Sequence, residues 1–164
     1  MRNAKIGVVF DCNVYVQALI SDEGVGAACF ELTRRGEIDL FISDATFAEL
    51  EELLSRPTML GFLPGATPEK IQSFLDEILL ISLNIGTCPR KFHFSRDPDD
   101  EPYINLAVAT EADFIVSFDN DLLNLMTDYS SEAKEFRQRF RHLKIVSPVE
   151  FLRIVRKIDL AIKP

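Results

Sequence analysis

Apolar residues in this chain come in short runs, and most runs are followed by a stretch with helical spacing. Ile6-Gly7-Val8-Val9-Phe10 is rich in β-branched and aromatic residues and reads as a buried strand over 5–10. Helix-compatible spacing follows at 13–19, and Ser21-Asp22-Glu23-Gly24 marks a turn. In 25–35, Ala28, Cys29 and Leu32 fall at helical spacing, and Gly36 stops that helix. A short strand at 39–42 leads into a helix running through Leu54, capped by Ser43 or Asp44. That helix places Phe47, Leu50, Leu53 and Leu54 on one face and ends at Arg56-Pro57. Residues 61–68 read as a loop. Thr67-Pro68-Glu69 opens the next helix, whose apolar face is Ile71, Phe74, Leu75, Ile78 and Leu79. Residues 80–85 fit either the end of that helix or a strand.

The second half continues the alternation. An acidic loop at 95–102 precedes an apolar helix at 103–111, a strand at 114–118 and a short helix or turn at 121–126. The polar segment 127–142 reads as a helical insertion, 144–146 as a last strand, and 148–158 as a C-terminal helix. This order predicts a three-layer α/β/α fold around a mainly parallel central sheet of about five strands. It forms one domain over 1–164, with a core over about 5–152. Composition agrees, with 164 residues, 47% of them hydrophobic and 27% charged. No apolar run approaches the roughly 20 residues of a membrane span, and the N-terminus lacks a long signal-peptide core. A cytoplasmic protein without membrane contact is expected. Cys12, Cys29 and Cys88 show no metal-ligand spacing and read as reduced thiols.

The chemistry lies in acidic residues at the ends of apolar runs. Asp11 follows the first strand directly, and Asp119 follows Phe114-Ile115-Val116-Ser117-Phe118 in the same way. In open α/β sheets, ligands collect beyond the carboxyl ends of the strands. Asn13 lies two residues after Asp11, and Glu49 sits beside the apolar face of its helix. Asp97, Asp99, Asp100 and Glu101 form a run before an apolar helix, and Asp121 closes Asp119-Asn120-Asp121. Each has an ordinary structural explanation as a helix cap, a turn residue or a solvated position. Together they exceed what capping needs. Carboxylates are hard oxygen ligands suited to Mg²⁺ or Mn²⁺, and the lack of supporting Cys or His spacing argues against structural zinc.

The chain resembles PIN-domain proteins, a family of metal-dependent ribonucleases that includes the VapC-like toxins of toxin–antitoxin pairs. The resemblance is carried by Asp11-Cys12-Asn13 after a strand, Ala48-Glu49-Leu50 and Asp100 before Tyr103-Ile104-Asn105-Leu106-Ala107. Ile115-Val116-Ser117-Phe118-Asp119-Asn120-Asp121 and Ile145-Val146-Ser147-Pro148-Val149-Glu150-Phe151-Leu152 complete it. Arg96-Asp97-Pro98-Asp99-Asp100 resembles the toxin-component branch. The resemblance implies that Asp11, Glu49, Asp100 and Asp119 hold Mg²⁺ or Mn²⁺, with Asp97, Asp99 and Glu101 as alternatives to Asp100. Asn13 would orient Asp11 or a water, Ser117 would lie near the metal, and Asp121 would stand behind the first ligands or serve a second ion. Cys12 departs from the small hydroxyl residue more common there, and its side chain is expected to face away. The implied reaction is hydrolysis of an RNA phosphodiester, leaving a 5′-phosphate and not using the 2′-OH as nucleophile. Single-stranded RNA, a cognate antitoxin and a homodimer are the partners implied.

Net charge is −8, unlike the basic footprint of most nucleic-acid binders. Lys134, Arg137, Arg139, Arg141 and Lys144, with Arg34 and Arg35, are the candidate phosphate contacts. Two other readings compete. Haloacid-dehalogenase-like phosphatases and receiver domains also carry acids after the first strand, but Asp11-Cys12-Asn13-Val14 lacks the second acid. A catalytically silent PIN-like module would bind RNA or protein without cutting.

Overall fold

The computed structural model describes residues 5–62 and 65–162. Five strands form one all-parallel sheet: β1 (Ile6–Phe10), β2 (Ile38–Ile42), β3 (Leu83–Asn84), β4 (Phe114–Val116) and β5 (Lys144–Val146), in the order β3-β2-β1-β4-β5. The helices are α1 (Cys12–Ile20), α2 (Val25–Arg34), α3 (Asp44–Ser55), α4 (Pro57–Phe62), α5 (Pro68–Ile81), α6 (Glu101–Thr110), α7 (Asn120–Asn124), α8 (Ser131–Arg139) and α9 (Pro148–Ile162). A 3₁₀ turn spans Pro98–Asp100.

Alternation along β1 shows why three layers form. Val8 and Phe10 face a core shared with Phe30, Leu40, Phe74 and Phe151. Val9, one residue out of phase, faces a second core with Tyr103, Ile104, Ile115 and Phe136. A strand buried on both faces must be covered on both, and parallel connections supply the covering helices. The register Phe10↔Val116↔Val146 aligns the ends of β1, β4 and β5 on one edge.

Local signals set the boundaries. Ser43 caps α3 through a capping box, its hydroxyl accepting from the Thr46 amide and Thr46 answering, worth about 1 kcal/mol. Thr67 caps α5, with Pro68 in the first turn. Gly36, at φ +69°, lets the chain leave α2.

Four local expectations change. Pro57 starts a new helix, α4, so part of the expected loop at 61–68 is helical; residues 63–64 lie outside the described residues. Residues 80–85 divide between the end of α5 and the two-residue edge strand β3. The strand expected to reach Phe118 ends at Val116, because the backbone turns there to begin the α7 cap. The terminal helix continues past 158 to Ile162.

The polar segment 127–142 is integral to the packing. Ala133 and Phe136 of α8 and the following Phe140 are buried in the second core, with Phe136 and Phe140 stacked edge-on against Phe92. Its low apolar content hid this, since two or three large residues suffice to seat a short helix. Phe92 and Phe94 come from an irregular stretch held by α6. The Asn105 carboxamide oxygen accepts from the amides of Lys91 (2.8 Å) and Phe92 (2.9 Å).

Candidate metal centre

Asp11 sits where β1 ends. Its amide donates to the Val116 carbonyl at 3.0 Å, extending the ladder one step past the strand. It occupies the N-cap position of α1 but makes no capping bond with its side chain among the described residues. Its carboxylate instead accepts from the Ser117 hydroxyl at 2.7 Å. The same hydroxyl accepts from the Asp119 amide at 2.9 Å. Ser117, fully buried, therefore ties one acid to the segment carrying the other. Asp119 caps α7, its carboxylate accepting from the Asp121 amide at 2.8 Å.

Asp100 closes the 3₁₀ turn at the start of α6 and lies against this pair. One carboxylate oxygen each from Asp11, Asp100 and Asp119 falls within 4.8 Å of the others. Asp100 Oδ2 is buried without a hydrogen-bond partner among the described residues. Burying such a group unpaired is costly, and three crowded carboxylates repel. Asp100 is pushed up to about 9, first by burial, then by its contact with Asp119 and the charges of Asp11 and Asp119. Asp11 also rises above 3.8 through burial and the charge of Asp119, opposed by the Ser117 hydroxyl. These all-oxygen donors, one of them orphaned, fit a hard divalent cation.

The structure separates the acidic run around Asp100. Asp97 accepts from the Asp99 amide and caps the 3₁₀ turn. Asp99 is exposed. Glu101 turns away to bind the Arg90 guanidinium, His93 Nδ1 (3.0 Å) and the Phe94 amide (3.1 Å). Sequence pattern could not distinguish these neighbours, because a single turn sends successive side chains in different directions.

Glu49 faces the same region from α3. It lies outside the three-carboxylate group but close enough for burial, and then the charges of Asp11, Asp99 and Asp97, to raise its carboxyl. Cys12 does not face away as expected. It is half-buried between the two cores, and its thiol is pushed up by burial and by the charges of Asp11 and Glu49. Asn13 is exposed in the first turn of α1, and the bond Asp11 receives comes from Ser117. Asp121 is paired with Arg96 at 3.1 Å, and Arg96 also reaches Asp128 at 3.0 Å. Arg96 thus joins the segment before Asp100 to the segment after Asp119. Its place at the head of an acidic run was the available sequence signal.

The basic candidates are largely engaged. Arg34 pairs with Glu31 and Glu77, and Arg35 with Glu31. Arg137 donates to the carbonyls of Leu125 and Asp128, and Arg139 to that of Lys91. Lys134, Arg141 and Lys144 are exposed. Among the described residues, no helix is long and apolar enough to cross a membrane.

Residues 7–121 match the family model described as PIN domain. The curated protein named Uncharacterized protein MJ1680, from Methanocaldococcus jannaschii, is 29% identical over 152 residues, covering 93% of each chain. Among solved structures, the crystal structure of PAE2754 from Pyrobaculum aerophilum aligns with a TM-score of 0.58. The identity is 16%, over 96% of this chain and 94% of that one, a likeness in fold.

Proposed function

The chain belongs to the PIN domain family, whose members are generally metal-dependent nucleases, and on that premise we propose that it hydrolyses RNA phosphodiester bonds. Asp11, Asp100 and Asp119 would hold Mg²⁺ or Mn²⁺, with Glu49 facing them. The observation that carries this reading is the grouping of Asp11, Asp100 and Asp119, with the Ser117 hydroxyl bonded to both strand-end segments and one Asp100 oxygen left without a partner among the described residues. An ion bound there supplies the acidity that makes a water nucleophilic and the charge that stabilises the leaving oxygen.

The chain's own groups perform the remaining tasks. Ser117 fixes Asp11 and Asp119 at one separation, so little reorganisation is needed on binding. Glu49, with its carboxyl raised by burial and neighbouring acids, is suited to accept a proton from the attacking water. The 3₁₀ turn before α6 brings Asp100 to the same group. Unpaired RNA is the substrate such a rim reaches most readily, and the role would be that of a toxin restrained by an antitoxin, acting as a homodimer in the cytoplasm.

The test combines metal titration with cleavage. Mn²⁺ should raise the melting temperature and support cutting of single-stranded RNA. Asp11→Asn should abolish both effects while the protein stays folded. Mn²⁺ binding without cutting, together with RNA retention, would favour the silent binding module. Absence of any Mn²⁺ effect on the wild-type chain would remove the nuclease reading.

A further inference from the structure

Between Ser117 and Asp119 stands a side chain that neither the acidic group nor the cores account for. Phe118 is 37% exposed and belongs to neither core cluster among the described residues. Single exposed apolar residues are common, so position carries the argument. Its backbone is pinned on both sides. The Ser117 amide donates to the Val146 carbonyl at 3.0 Å, and the Asp119 amide donates to Ser117 Oγ at 2.9 Å. The paired strands β1, β4 and β5 end at Phe10, Val116 and Val146, so Phe118 lies two residues beyond the carboxyl edge of the sheet, on the segment that joins Ser117 to Asp119. Asn13 and Val149, in the first turns of the helices that follow β1 and β5, are also exposed. A rigidly mounted phenyl group therefore stands at the open rim, one residue from Asp119.

A phosphodiester held by a divalent ion on the three carboxylates would bring its attached nucleosides to this rim. The chain's net charge of −8 denies it the sequence-independent phosphate attraction that most nucleic-acid binders use. Stacking on an aromatic face is the other general source of affinity for unpaired bases, and it is blind to net charge. We propose that Phe118 is the stacking platform for the base adjoining the scissile phosphate, so that this site selects unpaired strands. The proposal rests on the nuclease reading and adds the substrate contact that reading lacks. Removing the aromatic face should weaken strand binding roughly tenfold to a hundredfold.

The sequence contains no tryptophan, so Phe118→Trp introduces a single reporter. In a Glu49→Gln background with Mn²⁺, which keeps the three ion-holding aspartates and lacks the proposed proton acceptor, this variant is titrated with a single-stranded oligoribonucleotide. A ribose-phosphate strand of equal length without bases serves as comparison. Quenching of tryptophan emission by the base-bearing strand alone supports the proposal. Equal quenching by both strands, or by neither, overturns it. In the wild-type background, Phe118→Leu should raise KM about tenfold or more with kcat and the Mn²⁺-induced melting shift retained, while Phe118→Tyr restores KM. An unchanged KM in Phe118→Leu also overturns the proposal. The two readings fail separately. Quenching without Mn²⁺-dependent cleavage by the unaltered chain removes the nuclease, whereas cleavage without quenching removes only the role of Phe118.

Discussion

Replacing Asp100 with Asn should stabilise the metal-free protein, and the gain should depend on pH. The Asp100 carboxyl is pushed from 3.8 to about 9 by burial and by the neighbouring aspartates. Between those two values the folded chain holds a proton that the unfolded chain has released. Unfolding stability therefore falls as pH rises through this window, by at most about 1.4 kcal/mol per pH unit. At pH 7 the accumulated penalty is of order 4 kcal/mol, part of it shared with Asp11, so Asp100→Asn should recover roughly 1–4 kcal/mol. For a chain of this size that is a melting-temperature rise of roughly 2–16 °C. The assay is thermal unfolding in chelator from pH 5 to 9, comparing wild type with variant. Stability should decline with pH in the wild type and much less in the variant. Mn²⁺ should reverse the ranking, since only the wild type gains from it. Because binding must displace the proton, Mn²⁺ affinity should climb with pH and level off near 9. Parallel pH profiles for the two proteins, or a destabilised metal-free variant, would refute the account of the cluster as a strained, cation-seeking site.

Other outcomes follow from single contacts. Ser117→Ala removes a buried hydroxyl bonded to Asp11 and to the Asp119 amide. It should cost about 1–3 kcal/mol and weaken Mn²⁺ binding measured by calorimetry, although all three carboxylates remain. Glu101→Gln loses its charge pairing with Arg90 and His93 and should lower both the melting temperature and Mn²⁺ affinity by loosening the turn that carries Asp100. An effect confined to stability would show that Glu101 does not position the site. Phe136→Ala opens the second core and should destabilise by about 3–5 kcal/mol in denaturant titration. A loss below about 1 kcal/mol would mean that α8 is a dispensable addition.

The sheet and its carboxyl-terminal edge were legible because strands buried on both faces have an unmistakable composition. Val8-Val9-Phe10 and Ile115-Val116 could sit nowhere else, and Asp11 and Asp119 inherit their places from them. Asp100 was legible only as a member of a run. Selecting it required the turn geometry that sends Glu101 toward Arg90 and leaves Asp97 as a cap. The bridging role of Ser117 and the pairing of Arg96 with Asp121 depend on contacts between distant segments, which no local pattern encodes. The helix α4 was missed because Pro57, read as a stop, serves equally well as a first residue.

The placement of β1 at the centre of the sheet has a consequence for synthesis. Its partner β2 follows soon after on the ribosome, but Ser117, which secures Asp11, lies 106 residues downstream. Until β4 emerges, β1 presents one bare edge that could pair with another chain. The three-carboxylate cluster cannot assemble before then, whichever part folds first. A product truncated before Ser117 carries Asp11 and Asp100 without Asp119 and without the hydroxyl that secures Asp11. The order of synthesis therefore makes the three-carboxylate group a late feature, formed only once β4 has joined β1.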